Sequence, residues 1–230
     1  MYTMNEESPM SRILLVADNH YKQHCARHLQ AAFNAHQCTL VEDDWEPLAD
    51  PGLLDRYDLL VLHMIAGTCD NPLPDQRHEP QVRAWIESGR PILLLHGSSA
   101  AFWHWSWWPP LVGWRWVRPN DPYGSPASTH PIRPYALQRA RSTHPLAGAL
   151  KEIDLPSDEI YMHLEQTCPS WTLLETTTDE GTFPMASCHH TPYGGAIASF
   201  LPGHATSVTQ HPDIHANIAR ISQWLLQEAA

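Results

Sequence analysis

The sequence predicts an α/β domain built on a mostly parallel sheet, and three observations carry that prediction. Short unbroken apolar runs, at residues 59–63 and 91–95, read as strands buried on both faces. Segments with helical spacing separate such runs, so strand and helix alternate and right-handed crossovers follow. The run that ends at Leu95 passes through His96-Gly97-Ser98-Ser99 into apolar Ala100-Ala101-Phe102. Open α/β sheets bind their ligands at strand-turn-helix junctions of this kind.

In chain order, residues 13–17 read as the first strand, 21–34 as an amphipathic helix, 38–41 as a short strand and 59–63 as a buried one. Residues 80–88 read as a helix closed by Gly89, because glycine accepts the left-handed cap conformation. The next strand ends on His96, with Gly97 giving the backbone room to turn and Ser98 and Ser99 capping a following helix. The pattern then breaks. Six tryptophans fall between Trp103 and Trp116 and seven prolines between Pro109 and Pro134, which reads as an irregular Trp/Pro-rich excursion on the sheet edge. Strands return at 135–138, 160–163, 171–175, 185–188 and 196–201. A last helix over 213–226 sets Ile214, Ile218, Ile221, Trp224 and Leu225 at helical spacing.

Composition narrows the function. With 230 residues, 43% hydrophobic and 17% charged, the chain has enough apolar material for one full core, so residues 12–228 read as one domain after a polar tail over residues 1–11. The tail has neither a basic segment nor an apolar core, so no signal peptide or membrane span is expected. A formal charge of -11, from 14 Lys and Arg against 25 acids, argues against a nucleic-acid partner. A small-molecule ligand, neutral or sugar-like, fits better. The five cysteines are odd in number and form no Cys-x-x-Cys pair, which suits reduced thiols in the cytoplasm.

Three histidines stand apart from the sixteen in the chain. A single histidine is ordinarily satisfied by a backbone carbonyl, but His24, His96 and His204 each fall at or just beyond the carboxyl end of an expected strand, which places them on the ligand-binding edge. Ser98 and Ser99 lack the Gly-x-Ser-x-Gly elbow of serine hydrolases and read as ligand-positioning caps. Trp103, one turn further, is the pocket candidate among the tryptophans. The others read as core or as a subunit contact, which leaves a homo-oligomer open.

The order of "HGSSAAF", "LVGWRWV", "HPLAGAL", "DEIYMH" and "GGAIASFLPGH" before a C-terminal helix resembles the ThuA-like, trehalose-utilisation family, itself similar to class I glutamine amidotransferases. The resemblance implies a flavodoxin-like three-layer sandwich and a role in carbohydrate metabolism. It also places His96 where an amidotransferase carries its Cys nucleophile, and His204 where that enzyme carries its His base. An imidazole is a poor substitute for an activated thiolate, so glutamine hydrolysis is not expected. The "DEIY" motif adds Asp158, Glu159 and Tyr161.

His96, His204 and Glu159 are therefore the expected catalytic groups, with Ser98, Ser99, Trp103, Asp158, Tyr161 and His24 around the substrate. Two chemistries suit them. No cofactor is required for acid-base work by a histidine beside a carboxylate, whereas neutral imidazoles from His24, His96 and His204 with Glu159 would also suit a divalent metal such as zinc. His20 and His24 have ligand spacing if the first helix starts early. The expected function is an enzyme, hydrolase or lyase, acting on a sugar or sugar derivative. The alternative is a non-catalytic sugar-binding or regulatory domain that kept the fold and lost the nucleophile.

Overall fold

The computed structural model describes residues 10–19, 22–68, 70–121 and 125–229. Most of the expected tail, the start of the first expected helix at Tyr21, and His20 and Cys69 lie outside the described residues. The strands are β1 (Arg12–Ala17), β2 (Gln37–Glu42), β3 (Leu59–His63), β4 (Ile92–Leu95), β5 (Trp114–Arg115), β6 (Ile132–Arg139), β7 (Ile153–Glu159), β8 (Glu165–Gln166), β9 (Trp171–Thr178), β10 (Gly181–His190) and β11 (Ala196–Phe200). The helices are α1 (Cys25–Leu29), α2 (Leu53–Arg56), α3 (Glu79–Glu87), α4 (Pro145–Ala149), α5 (Thr206–Thr209) and α6 (Pro212–Glu228).

Nine strands form one sheet in the order β2-β1-β3-β4-β11-β10-β9-β6-β7. The first five are mutually parallel, and the last four extend the sheet antiparallel. Side-chain alternation sorts the parallel strands between two cores. Ile13, Leu15, Leu59, Val61, Leu93, Leu95 and Ala198 pack with α1 and α6, whereas Leu14, Val16, Leu60, Leu62, Ile92, Leu94 and Ile197 pack with α2, α3 and the Trp-rich segment. That is a three-layer α/β arrangement. In α6, Ile214, Ile218, Ile221 and Leu225 make one fully buried stripe, and Trp224 is partly buried at its edge. No helix among the described residues is long and apolar enough to cross a membrane.

Three local expectations are revised. The first helix begins at Cys25 and turns into a 3-10 segment over Gln30–Phe33, because His24 takes a left-handed backbone (φ 51°) that stops helix propagation upstream. His96–Ala100 is a 3-10 turn, so Ser98 and Ser99 cap no α-helix. Residues 160–163 make only a single bridge, Met162 to Thr129. The strand of that region is β7, whose apolar positions are interrupted by exposed Asp154, Pro156 and Ser157 and by the buried acids Asp158 and Glu159, so its sequence lacks a strand signal. The Trp-rich segment is largely core: Phe102 stacks on Trp105 at 4.3 Å and meets Trp108 edge-on at 4.8 Å.

Candidate active site

A cavity of about 230 Å³ opens at the carboxyl edge of the parallel strands. Asp18 enters it after β1, His63 at the end of β3, His96 after β4, His204 after β11 and Glu159 at the end of β7. The order β2-β1-β3-β4-β11 changes direction at β1 and β3, which is where an open parallel sheet leaves a crevice.

His96 sits on the elbow itself. Its backbone is left-handed, with φ 53°, a conformation that costs a non-glycine residue roughly 1–2 kcal/mol and that the surroundings therefore impose. The sequence assigned the sharp turn to Gly97, but Gly97 has another reason to be glycine. A Cβ there would run into the Ile65 side chain and stand 2.8 Å from the Tyr161 hydroxyl. Ser98 holds the elbow down from beneath: its hydroxyl lies 2.9 Å from the Leu62 carbonyl and 2.7 Å from that of Leu95, and it accepts the Met64 N–H at 2.9 Å. His96 Nδ1 lies 3.1 Å from the Leu201 carbonyl. A carbonyl only accepts, so Nδ1 carries the proton and Nε2 carries the lone pair in the neutral ring.

That lone pair faces Glu159, which is the hub of the cavity. Glu159 Oε2 is 3.4 Å from His96 Nε2, and Oε1 is 3.3 Å from His204 Nδ1 and 3.0 Å from His130 Nδ1. The carboxylate is buried, while the His130 side chain is half exposed. The Tyr161 hydroxyl lies 3.4 Å from His96 Nε2. Burial, reinforced by the charges of Glu159 and Asp158, pushes its phenol well above the ordinary tyrosine range, so it stays protonated. His63 stacks on His96 with ring centroids 5.9 Å apart, and the His204 ring lies 5.4 Å from that of His96.

Asp158, fully buried, points the other way along β7. Its Oδ1 accepts the backbone N–H groups of His204 and Ala205, each at 2.9 Å, and its Oδ2 accepts that of Gly203 at 2.8 Å and the Tyr135 hydroxyl at 3.4 Å. Burial pushes its carboxyl up, and the backbone donors from Ala205, Gly203 and His204 pull it back.

The structure thus brings together His96, His204, Glu159 and Tyr161 in one cavity, with Asp158 directly behind them. It leaves His24 outside the lining, paired through Nδ1 with Glu42 at 3.3 Å beside Arg27. The Ser98 hydroxyl is committed to backbone, buried Ser99 does not line the cavity, and Trp103 is held outside it by a 2.8 Å bond from its indole N–H to the Ala66 carbonyl. Several lining residues were missed. His63 ends an apolar strand just as His96 follows one, so that parallel was a usable signal. His130 precedes a proline and looks like a turn residue, and Trp116 and Arg118 lie in the irregular excursion, where no periodicity points at a face. The Arg118 guanidinium lies 3.9 Å over the Trp103 ring at the cavity wall and has no carboxylate partner among the described residues. Cys25 also lines the cavity, its thiol donating to the His204 carbonyl at 3.3 Å.

Comparison with known proteins agrees with this architecture. A ThuA-like protein from Parabacteroides merdae matches at a TM-score of 0.76, with 15% identity, over 95% of this chain and 90% of that one. A ThuA-like protein from Bacteroides uniformis matches at 0.68, with 13% identity, over 98% and 95%. PurLQS from Thermotoga maritima matches at 0.56, with 14% identity, over 94% and 99%. These likenesses place the chain among flavodoxin-like α/β folds of the glutamine amidotransferase type. No curated protein matches it. The ThuA family profile, described as trehalose utilisation, matches residues 12–225, and the chain accordingly belongs to the ThuA family.

Proposed function

We propose that the chain is an enzyme of carbohydrate metabolism, a hydrolase or lyase acting on a sugar or sugar derivative at the His96–Glu159–His204 centre. The observation that carries this reading is the buried Glu159 carboxylate, met by His96 Nε2 at 3.4 Å and His204 Nδ1 at 3.3 Å inside a cavity of sugar size. The centre supplies what hydrolysis or elimination at a sugar needs. His96 Nε2 is an electron-pair donor at the cavity, beside Glu159 and the Tyr161 hydroxyl. Glu159 stabilises positive charge gathered beside it, whether on a proton or on a bound cation. Tyr161, kept protonated, offers a hydrogen bond to a departing oxygen. Trp116, 5.4 Å from the Tyr161 ring and 5.1 Å from that of His130, walls the cavity with an aromatic face, and Arg118 offers planar donors to substrate oxygens.

That aromatic wall also supports the second reading, a sugar-binding domain without catalysis. The family description supports a sugar ligand in either case. Free thiols at Cys25, Cys38, Cys168 and Cys188 support a reducing compartment such as the cytoplasm. The test is a panel of trehalose, other disaccharides and their oxidised derivatives, followed by NMR for product and by thermal shift for binding, with wild type and His96→Ala. Product from wild type alone supports the enzyme. Binding by wild type without product from any member supports the binding domain.

A further inference from the structure

We propose that His96 Nε2, His204 Nδ1 and Glu159 form a binding site for one first-row divalent cation, with zinc the best match to the donors. The proposal rests on the reading of this cavity as the functional site and names its cofactor. Three observations carry it. The ligand atoms of these three residues lie within 4.8 Å of one another, which holds for no other trio of His, Cys, Asp or Glu among the described residues. The Leu201 carbonyl fixes the proton on His96 Nδ1, so an unprotonated nitrogen faces a carboxylate oxygen. A cation between these two electron-rich atoms would stabilise the arrangement, beside the Tyr161 hydroxyl that lies 3.4 Å from the same nitrogen. A shared proton would draw them to about 2.7–2.9 Å, the length of a charge-assisted hydrogen bond. The separations are instead 3.4 Å for His96 and 3.3 Å for His204. Ligands about 2.0–2.1 Å from a tetrahedral ion are about 3.3 Å apart, so each nitrogen–oxygen spacing, His96 Nε2 to Oε2 and His204 Nδ1 to Oε1, is that of two ligands on one ion, with the carboxylate offering both oxygens.

The surroundings are those a metal ligand set needs. A ligating imidazole is held by its other nitrogen on a backbone carbonyl, as His96 is on Leu201. His204 is held through its backbone N–H by Asp158. His130 holds the carboxylate from its other side. Two imidazoles and a carboxylate leave a coordination position open toward the cavity, where a substrate oxygen or water would be polarised.

The test is elemental analysis of the full chain purified without chelator or nickel resin, followed by calorimetric titration of Zn²⁺ into chelator-treated protein. Wild type, His96→Ala, Glu159→Gln and, as a control outside the site, His190→Ala are compared, with circular dichroism to verify folding. The expected result is about one equivalent bound by wild type and His190→Ala, with affinity roughly 100-fold weaker in each folded site variant. Equal Zn²⁺ affinity in wild type and folded Glu159→Gln, or no binding by wild type, overturns the cation site. If Glu159→Gln unfolds, Glu159→Asp with unchanged affinity overturns it equally. Sugar turnover by a metal-free wild type would remove the cation and leave the enzyme reading standing, whereas stoichiometric Zn²⁺ without turnover or sugar binding would do the reverse.

Discussion

Asp158 Oδ1 accepts the backbone N–H of His204 at 2.9 Å, and the next residue along β7, Glu159, presents Oε1 to the imidazole of the same histidine at 3.3 Å. Strand alternation sends the two carboxylates to opposite sides, so one clasps the loop after β11 and the other faces the cavity. Asp158 is therefore a positioning residue. Its neighbour does the facing.

Asp158→Asn tests that division. An amide cannot accept at both ends, so one NH₂ must confront a backbone N–H or the Tyr135 hydroxyl, at a cost of about 1–3 kcal/mol. Thermal denaturation should show a loss of that size, and kcat should fall with little change in KM, because the His204 backbone shifts while the cavity wall stays. An unchanged melting temperature with unchanged kcat would mean that the clasp does not position His204.

Much of this geometry was legible in the sequence. His96 and His204 were found because a strand-end residue in a parallel sheet has a predictable location, whereas Glu159 came from the DEIY motif of the family resemblance and ends the antiparallel strand β7. The same rule applied to His63, which ends β3. His24 follows β1 too, yet its left-handed backbone and its pairing with Glu42 keep it outside the cavity. Ser98 was misplaced for a related reason: a turn residue that looks available in sequence is spent on the Leu62 and Leu95 carbonyls. The cavity wall from Trp116 to His130 was illegible because proline-rich coil carries no periodicity. β7 was hidden by its own alternation of acids and apolar residues with Pro156.

Stability should fall on mild acidification. His189 is buried with Nε2 on the Leu111 carbonyl at 2.8 Å, and burial pushes its imidazole below the ordinary value of 6.5, as it does for the half-buried His144. The unfolded chain then binds these protons more readily than the native one. Their neutral form imposes no penalty above pH 6.5, and stability is lost progressively as pH falls from 6.5 toward the lower native values. Urea midpoints between pH 7.5 and 5 should decline, and His189→Gln should decline less steeply. A parallel slope for both proteins would assign the loss elsewhere.

The thiols should be chemical bystanders. Burial raises Cys25, pushes Cys38 up to about 11 and pushes Cys188 up to about 12, so none is a ready thiolate near neutral pH. Cys25→Ser keeps a donor for the His204 carbonyl and should retain turnover to within a few-fold. Incubation with glutamine should release no ammonia above background and leave no glutamyl adduct detectable by mass spectrometry. An adduct on Cys25, the one thiol lining the cavity among the described residues, would restore the amidotransferase chemistry that His96 speaks against.

The most direct test of the central claim is the steady-state kinetics of wild type and Glu159→Gln on any sugar of the panel from which wild type gives product. The substitution preserves side-chain size but removes the negative charge between His96, His130 and His204 and turns one acceptor oxygen into a donor. If that charge supports the chemistry, kcat falls by about 100-fold or more while the melting temperature stays within a few degrees. A folded Glu159→Gln variant with wild-type kcat would contradict the account and move the chemistry away from this carboxylate.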